Sequence, residues 1–236
     1  FKGLLHCDGY SAYGRIEDVV LVCCLAHCRR KFYEDVPTGR RKKLKLLDIN
    51  SEEELKEPSS GMSDDNGLLP AEKGVAFCNR LFFLERCYKE LPAEERKQKR
   101  QEKEPEIWNE FWSWLGSLNP TGGSKLEKAV NYAFNHKETL MNYLLDGRCS
   151  LSNNAAENAI RPFVTGRKNW LFADTPKGAD ASATVYSLIE TAKANGLDVF
   201  SYLQELLANM TDWDHTDEYL EDLMPWSEFS RSQCCR

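Results

Sequence analysis

At 236 residues, with 42% hydrophobic and 29% charged side chains, the chain can bury a full core as one large domain or one domain with an insertion. Nine cysteines are too few and odd in number for a disulfide scaffold, so a reducing, cytoplasmic setting is expected. The longest apolar run, Val19 to Ala26, is far short of the roughly 18–20 residues a membrane span needs. The net charge of −6 argues against a surface uniformly coated for nucleic acid, although its distribution is uneven.

The chain does not begin with Met and enters in mid-strand, so it reads as a fragment of a longer protein. Leu4 to Tyr10 predicts a short buried strand that stops at the turn dipeptide Asp8-Gly9. Val19 to Ala26 is apolar on both faces and β-branched at its start, as in an interior strand. His27 to Tyr33 then opens a helix. The stretch from Asn50 to Pro70 carries little apolar content and predicts a flexible excursion. Phe77, Leu81, Leu84 and Tyr88 mark a helix that ends at Leu91-Pro92.

Ala93 to Leu118 continues in helical pattern, with Pro105 expected to kink or break it. Its first half, Glu94 to Glu104, reads as a solvated charged face. Its second half carries the aromatic stripe Trp108, Phe111, Trp112 and Leu115, which reads as core. Ser124-Lys125-Leu126-Glu127 is a capping box for a further helix buried through Leu126, Ala129, Val130 and Ala133. Leu140, Met141 and Leu144 continue it, and Gly147 is suited to a left-handed cap. Asn154 then caps a helix that Pro162 kinks or ends, and Arg167 to Phe172 is a short extended piece. Ala179 to Ala194 forms a helix with Ala181, Val185, Leu188 and Ala192 on its buried face and Gly196 as its stop. Phe200 to Met210 is a last amphipathic helix, and Thr211 to Ser230 is acidic with no Lys or Arg.

Three groups of residues carry possible chemistry. Asp8 at a strand's carboxyl end and Glu157 on a helix are the oxygen ligands a hard divalent cation requires, with room left for substrate phosphates. Taken locally, Asp8 is also an ordinary turn residue, and Asn154 with Glu157 is also close to a capping box. Cys23, Cys24, His27 and Cys28 have zinc-ligating chemistry but lack a separated second pair, and buried thiols explain them more simply. Arg29, Arg30, Lys31, Arg161, Arg167 and Lys168 follow closely after the candidate carboxylates, where phosphate backbones would need neutralising. His136 and His215 stand without evident partners in the sequence.

The ordered set Asp8-Gly9-Tyr10, Ala26-His27-Cys28-Arg29-Arg30-Lys31-Phe32, Asn153-Asn154-Ala155-Ala156-Glu157 with Ile160-Arg161-Pro162, Gly166 to Phe172, Tyr186 to Gly196 and Tyr202-Leu203 resembles the C-terminal portion of bacterial transposases of the insertion sequence 66 family, members of the DDE group. The resemblance implies an α/β, partial ribonuclease-H-like fold interrupted by a large helical insertion. Residues 1–35 would begin the catalytic core, 36–148 would form the insertion with its flexible segment 50–70, 149–210 would return to the core, and 211–236 would be an acidic tail.

It also implies a triad whose second and third acidic residues are Asp8 and Glu157, holding two Mg²⁺ (or Mn²⁺) ions for cleavage of DNA and transfer of the freed strand. His27, Arg29, Arg30, Lys31, Asn154, Arg161, Arg167 and Lys168 would contact DNA. The partners implied are transposon ends and target DNA, a second copy of the chain on DNA, and accessory proteins of the element, with no membrane. Asn158 and Ser152 depart from the family pattern, which usually has arginine and often aspartate there. The family's first aspartate lies on an upstream strand, so this chain alone is expected to be inactive. A non-catalytic DNA-binding remnant and a zinc-stabilised interaction protein are the competing readings.

Overall fold

The structure, a computed structural model, describes residues 2–46, 67–170, 173–210 and 216–234. The predicted excursion from Asn50 lies mostly outside them, as does His215. The described part is mainly helical with a small parallel sheet, and it divides into two compact units, Phe1–Asn153 and Asn154–Arg236.

In the first unit, strand β1 (Gly3–Cys7) pairs in parallel with β2 (Val19–Cys23), Leu5 lying opposite Leu21 and Cys7 opposite Cys23. The connection between them carries a 3₁₀ turn over Ser11–Arg15. Helix α1 (Leu25–Asp35) starts two residues earlier than the apolar run implies. Extended Cys24 still donates its N–H to the Cys7 carbonyl (2.9 Å), and Leu25 turns to the Leu151 carbonyl (2.9 Å). The end of an apolar run was thus spent on a buried helix start, which periodicity alone does not separate from a strand.

Helices α2 (Thr38–Leu46), α3 (Pro70–Cys87), α4 (Ala93–Ser117), α5 (Lys125–Asn135) and α6 (Lys137–Met141) complete the unit, with a 3₁₀ turn over Asn142–Leu145. Phe32 of α1, Phe77 of α3 and Trp108, Phe111, Trp112 and Leu115 of α4 fill one buried core. The aromatic stripe is core, as its spacing predicts. Gly74 lets α1 and α3 approach closely, because a Cβ there would fall 2.4 Å from the Phe32 ring.

Pro105 does not break α4, which runs through it. Burial of Trp108, Phe111 and Trp112 just beyond it offsets the one lost backbone bond. Nor is the charged half of α4 simply a solvated face. Arg100 is fully buried and donates to both Glu85 oxygens (2.7 and 2.6 Å) and to the carbonyls of Tyr143, Asp146 and Cys149 (3.2, 3.0 and 2.7 Å). Arg96 likewise satisfies the carbonyls of Tyr88, Lys89 and Leu91 at the end of α3. Five donors in a rigid fork make arginine suited to this many-carbonyl role.

The helix expected from Ser124 to Gly147 is instead divided at His136 into α5, α6 and the 3₁₀ turn. The Ser124 hydroxyl accepts from Glu127 N–H (3.1 Å), while Glu127 reaches back past Ser124 to Gly123 N–H (2.6 Å). Gly147 does not have the left-handed backbone expected of it. It is required for space, since a Cβ would meet the Ala93 carbonyl oxygen at 1.7 Å.

In the second unit, α7 (Asn154–Trp170) continues through Pro162 and takes in residues 167–170, expected to be extended. Because the helix starts at Asn154, that residue lies within it instead of preceding it. Helix α8 (Pro176–Ala194) ends where expected. Gly196 takes φ +75°, Gly196 N–H bonds the Lys193 carbonyl (3.1 Å), and Leu197 N–H bonds that of Ala192 (3.0 Å), which together form a Schellman cap. Of the face predicted to be buried, Ala192 is buried but Ala181 and Val185 are exposed. Helix α9 (Val199–Asn209) follows. The acidic C-terminal stretch then folds into α10 (Asp217–Asp222) and α11 (Glu228–Cys234) and contributes Cys234 to a small core with Ala192, Leu197 and Tyr202.

Candidate functional site

Strand β1 delivers Asp8 to the end of the sheet. Cys7 is buried, Asp8 is exposed, and Gly9 takes φ +83°, a backbone region that side chains disfavour. One Asp8 carboxylate oxygen accepts the Tyr10 N–H (3.0 Å), which fixes the side chain over the turn. From α5, the Tyr132 hydroxyl donates to the Asp8 main-chain carbonyl (3.0 Å) and lies 3.4 Å from the Cys23 Sγ at the end of β2. His136, one turn further along, stacks obliquely on Tyr132 with ring centroids 4.6 Å apart. The exposed Lys31 places its ammonium 5.9 Å from the Tyr132 ring centroid.

The groups beneath Asp8 are kept neutral by burial. Burial pushes the Cys23 thiol up to about 11 and the Cys7 thiol upward. It also raises the Tyr132 phenol and lowers the imidazoles of His6 and His136. The Asp8 carboxylate is itself a hard oxygen donor. That donor chemistry fits Mg²⁺ or Mn²⁺ better than a thiophilic metal.

The cysteine run has a different job. Cys24 and Cys28 are fully buried, Cys28 is hydrogen-bonded to Cys78, and the strongest effects raise its thiol well above the ordinary range. Cys28 is therefore a packed, protonated thiol, inert as a metal ligand in that state. Among the described residues no cluster of three or more His, Cys, Asp or Glu side chains is placed to hold a metal ion.

The basic residues divide by role. On α1, His27 is half-buried in the first turn, and Arg30 and Lys31 are exposed one turn on. Arg29 is committed to structure: its Nε donates to Asn79 (2.7 Å) and its guanidinium lies 5.8 Å from the Tyr33 ring centroid. The second basic cluster of the first quarter is structural too. Arg40 pairs with buried Glu72 (2.7 Å), and Arg41 donates to the carbonyls of Val36 and Glu34 at the end of α1 (2.9 and 3.0 Å).

Glu157 lies in the first turn of α7 and is half-buried, while Asn154, Arg161 and Lys168 on the same helix are exposed. Arg161 stands one turn after Glu157, and the Arg167 side chain falls outside the described residues. Asp8 belongs to the first compact unit and Glu157 to the second.

Tyr132 and His136 were not foreseen as site residues. Their four-residue spacing announces a shared helix face, but nothing local announces which strand end that face will meet.

The comparisons with known proteins bear on the whole chain. The model of the IS66 transposase family matches residues 1–181, and that of the IS66 C-terminal element matches residues 187–226. Among curated proteins, the uncharacterized protein y4qI of Sinorhizobium fredii is 33% identical over 96% of the chain, and y4hP of the same organism is 31% identical over 96%. A third, y4jD, is 28% identical over 96%. The chain spans only 39%, 40% and 41% of the lengths of these three relatives. No solved structure matches it. With family models aligned along nearly all of its length, in the order its motifs occur, the chain belongs to the IS66 transposase family.

Proposed function

We propose that the chain is catalytic-core material of a DDE transposase, acting in metal-dependent cleavage of transposon ends and transfer of the freed DNA strand. The observation that carries this reading is the family match over residues 1–181, which contains both Asp8 at a strand's carboxyl end and Glu157 in a helix's first turn. A parallel strand pair followed by a helix supports assignment to a ribonuclease-H-like fold, in which residues 36–148 are the insertion. The partners proposed are transposon-end and target DNA, a second copy of the chain on that DNA, and accessory proteins of the element.

In this reading Asp8 and Glu157 are the second and third carboxylates of the triad and would hold Mg²⁺ or Mn²⁺. Bound divalent ions would activate the attacking oxygen and neutralise charge at the phosphodiester. The residues of the chain supply placement. Tyr10 N–H holds one Asp8 oxygen (3.0 Å), which limits the orientations the carboxylate can take. Arg30 and Lys31 on α1, and Arg161, Arg167 and Lys168 on α7, would neutralise backbone phosphates, with His27 and Asn154 contributing polar contacts. Arg29, whose Nε is bound to Asn79, would contribute to the α1 surface that meets DNA.

The test is Mg²⁺-dependent nicking of a transposon-end duplex by a polypeptide that contains this chain together with the family's first aspartate. Asp8→Asn and Glu157→Gln should each abolish nicking while leaving DNA binding in place. Nicking that survives either substitution refutes the catalytic assignment. Lys31→Ala should weaken DNA binding and flatten its dependence on salt by about one unit of slope.

A further inference from the structure

We infer that Tyr132 of α5 and His136, the residue that ends that helix, are positioning residues that clamp the Asp8-Gly9 turn, setting the direction in which the Asp8 carboxylate is presented. The inference rests on the proposed role of Asp8, and it names residues that no motif of the chain marks.

Three contacts converge on one turn. The Tyr132 hydroxyl donates to the carbonyl of Asp8 itself (3.0 Å), so the donor grips the main chain of the residue whose side chain is at issue. The same hydroxyl lies 3.4 Å from Cys23 Sγ, and so ties the ends of β1 and β2 to a single point on α5. At Gly9, a Cβ would lie 2.9 Å from the Tyr132 hydroxyl oxygen and 3.0 Å from His136 Nε2. The two rings therefore fill the space a side chain at residue 9 would need. Glycine is thus required at residue 9 for space as well as for its left-handed backbone, φ +83°.

The consequence for Asp8 is geometric. A carboxylate on the residue just past a strand is constrained in direction by the peptide that follows it. Here that peptide is held at its carbonyl by a hydroxyl, and an imidazole occupies the space beside its glycine. Neither ring reaches the carboxylate, so their effect on any ligand of Asp8 passes through the backbone. Outer residues of this kind commonly change metal affinity by ~10–100-fold when altered.

Hydrogen exchange of the peptide Cys7–Ser11 tests the clamp without any metal. Tyr132→Phe, which keeps the ring and removes the donor, should speed exchange there ~5-fold or more while helices α3 and α4 keep their protection. His136→Ala should do the same, and His136→Phe, which keeps a ring against Gly9, should restore most of the protection. Unchanged exchange in both Tyr132→Phe and His136→Ala overturns the clamp. So does a His136→Phe variant as loose as His136→Ala.

Binding of Mn²⁺ alone, followed by water-proton relaxation, links the clamp to function. Asp8→Asn should remove the binding and Tyr132→Phe should weaken it ~10-fold. If Asp8→Asn leaves Mn²⁺ binding intact, the metal-ligand reading of Asp8 fails, whatever exchange shows. If Asp8→Asn removes binding and Tyr132→Phe leaves it unchanged, the site reading stands and the positioning role falls.

Discussion

The two compact units solve the same folding problem with very different means. Residues 1–153 bury a continuous core in which three helices contribute stacked and edge-on aromatic rings, and they seal it with a buried arginine. Residues 154–236 bury a cluster of Ala192, Leu197, Tyr202 and Cys234 and leave Ile160, Val164, Val185, Phe200 and Leu207 exposed. The hydrophobic contribution scales with apolar area removed from water, so the first unit holds most of the stabilisation and the second depends more on caps and hydrogen bonds. The difference teaches that the two candidate carboxylates stand on unequal foundations: Asp8 follows a strand packed into the larger core, whereas Glu157 stands on a helix whose Ile160 and Val164 are exposed.

The largest test of that contrast is Arg100→Met. It would leave Glu85 without its buried partner and take one donor from each of three carbonyls. Removing one member of such a network typically costs ~3–5 kcal/mol. Chemical denaturation followed by fluorescence should show the loss in the first unit. A change under 1 kcal/mol, on the order of an exposed pair, would mean that the network contributes little.

Glu104 gives the next effect, and its direction with pH is unusual for a carboxylate. Desolvation pushes its carboxyl up to about 7 from 4.5, against the opposing hydrogen bond from the Tyr143 hydroxyl and the nearby Arg100 charge. The folded state therefore holds a proton between about 4.5 and 7 that the unfolded state releases. Stability from this group is fully present below 4.5, falls as pH rises towards 7, and is level above it. The shift corresponds to ~3 kcal/mol. Glu104→Gln should remove that component, so the stability difference between variant and parent should change with pH across this window and stay flat above it. Parallel curves at all pH values would show that Glu104 ionises normally in the folded protein.

How much of this was legible in the sequence depends on whether the signal was local. The two strands are legible, β1 from a short apolar run that stops at Asp8-Gly9 and β2 from an apolar run that is β-branched at its start, and Asp8 from its place before a glycine turn. The Schellman stop at Gly196 was also visible, because its requirement is a backbone conformation that only a few residues tolerate. At Pro105 the local penalty of ~3 kcal/mol competes with burial of two tryptophans and a phenylalanine in the next two turns, against partners on other elements. Pro162 also sits inside a helix, although its neighbourhood is only half-buried and offers no comparable compensation. In the sequence Arg100 and Glu104 read as part of a solvated face, because their partners, Glu85 and Tyr143, lie on other elements. Tyr132 and His136 escaped for the same reason: a helix face is readable, but the strand end it meets is a tertiary fact. The expected buried face of α8 shows the converse error, since apolar periodicity names a face without supplying a partner for it.

Gly196→Ala sharpens the comparison at its smallest scale. In the second unit the turn from α8 to α9 rests on two backbone bonds closed by a residue at φ +75°. A Cβ at residue 196 meets no atom within 4 Å, so the substitution adds backbone strain without a clash. An L-residue in this region costs ~1 kcal/mol relative to glycine. Where the core is thin, a loss of that size should appear as faster hydrogen exchange through α9 and α11, because Asp198 N–H in the same turn bonds the Cys234 carbonyl at 2.8 Å. Protection in α3 and α4 should not change. Exchange that rises equally in both units would mean that they unfold as one cooperative body, and the unequal cores would then share their stability.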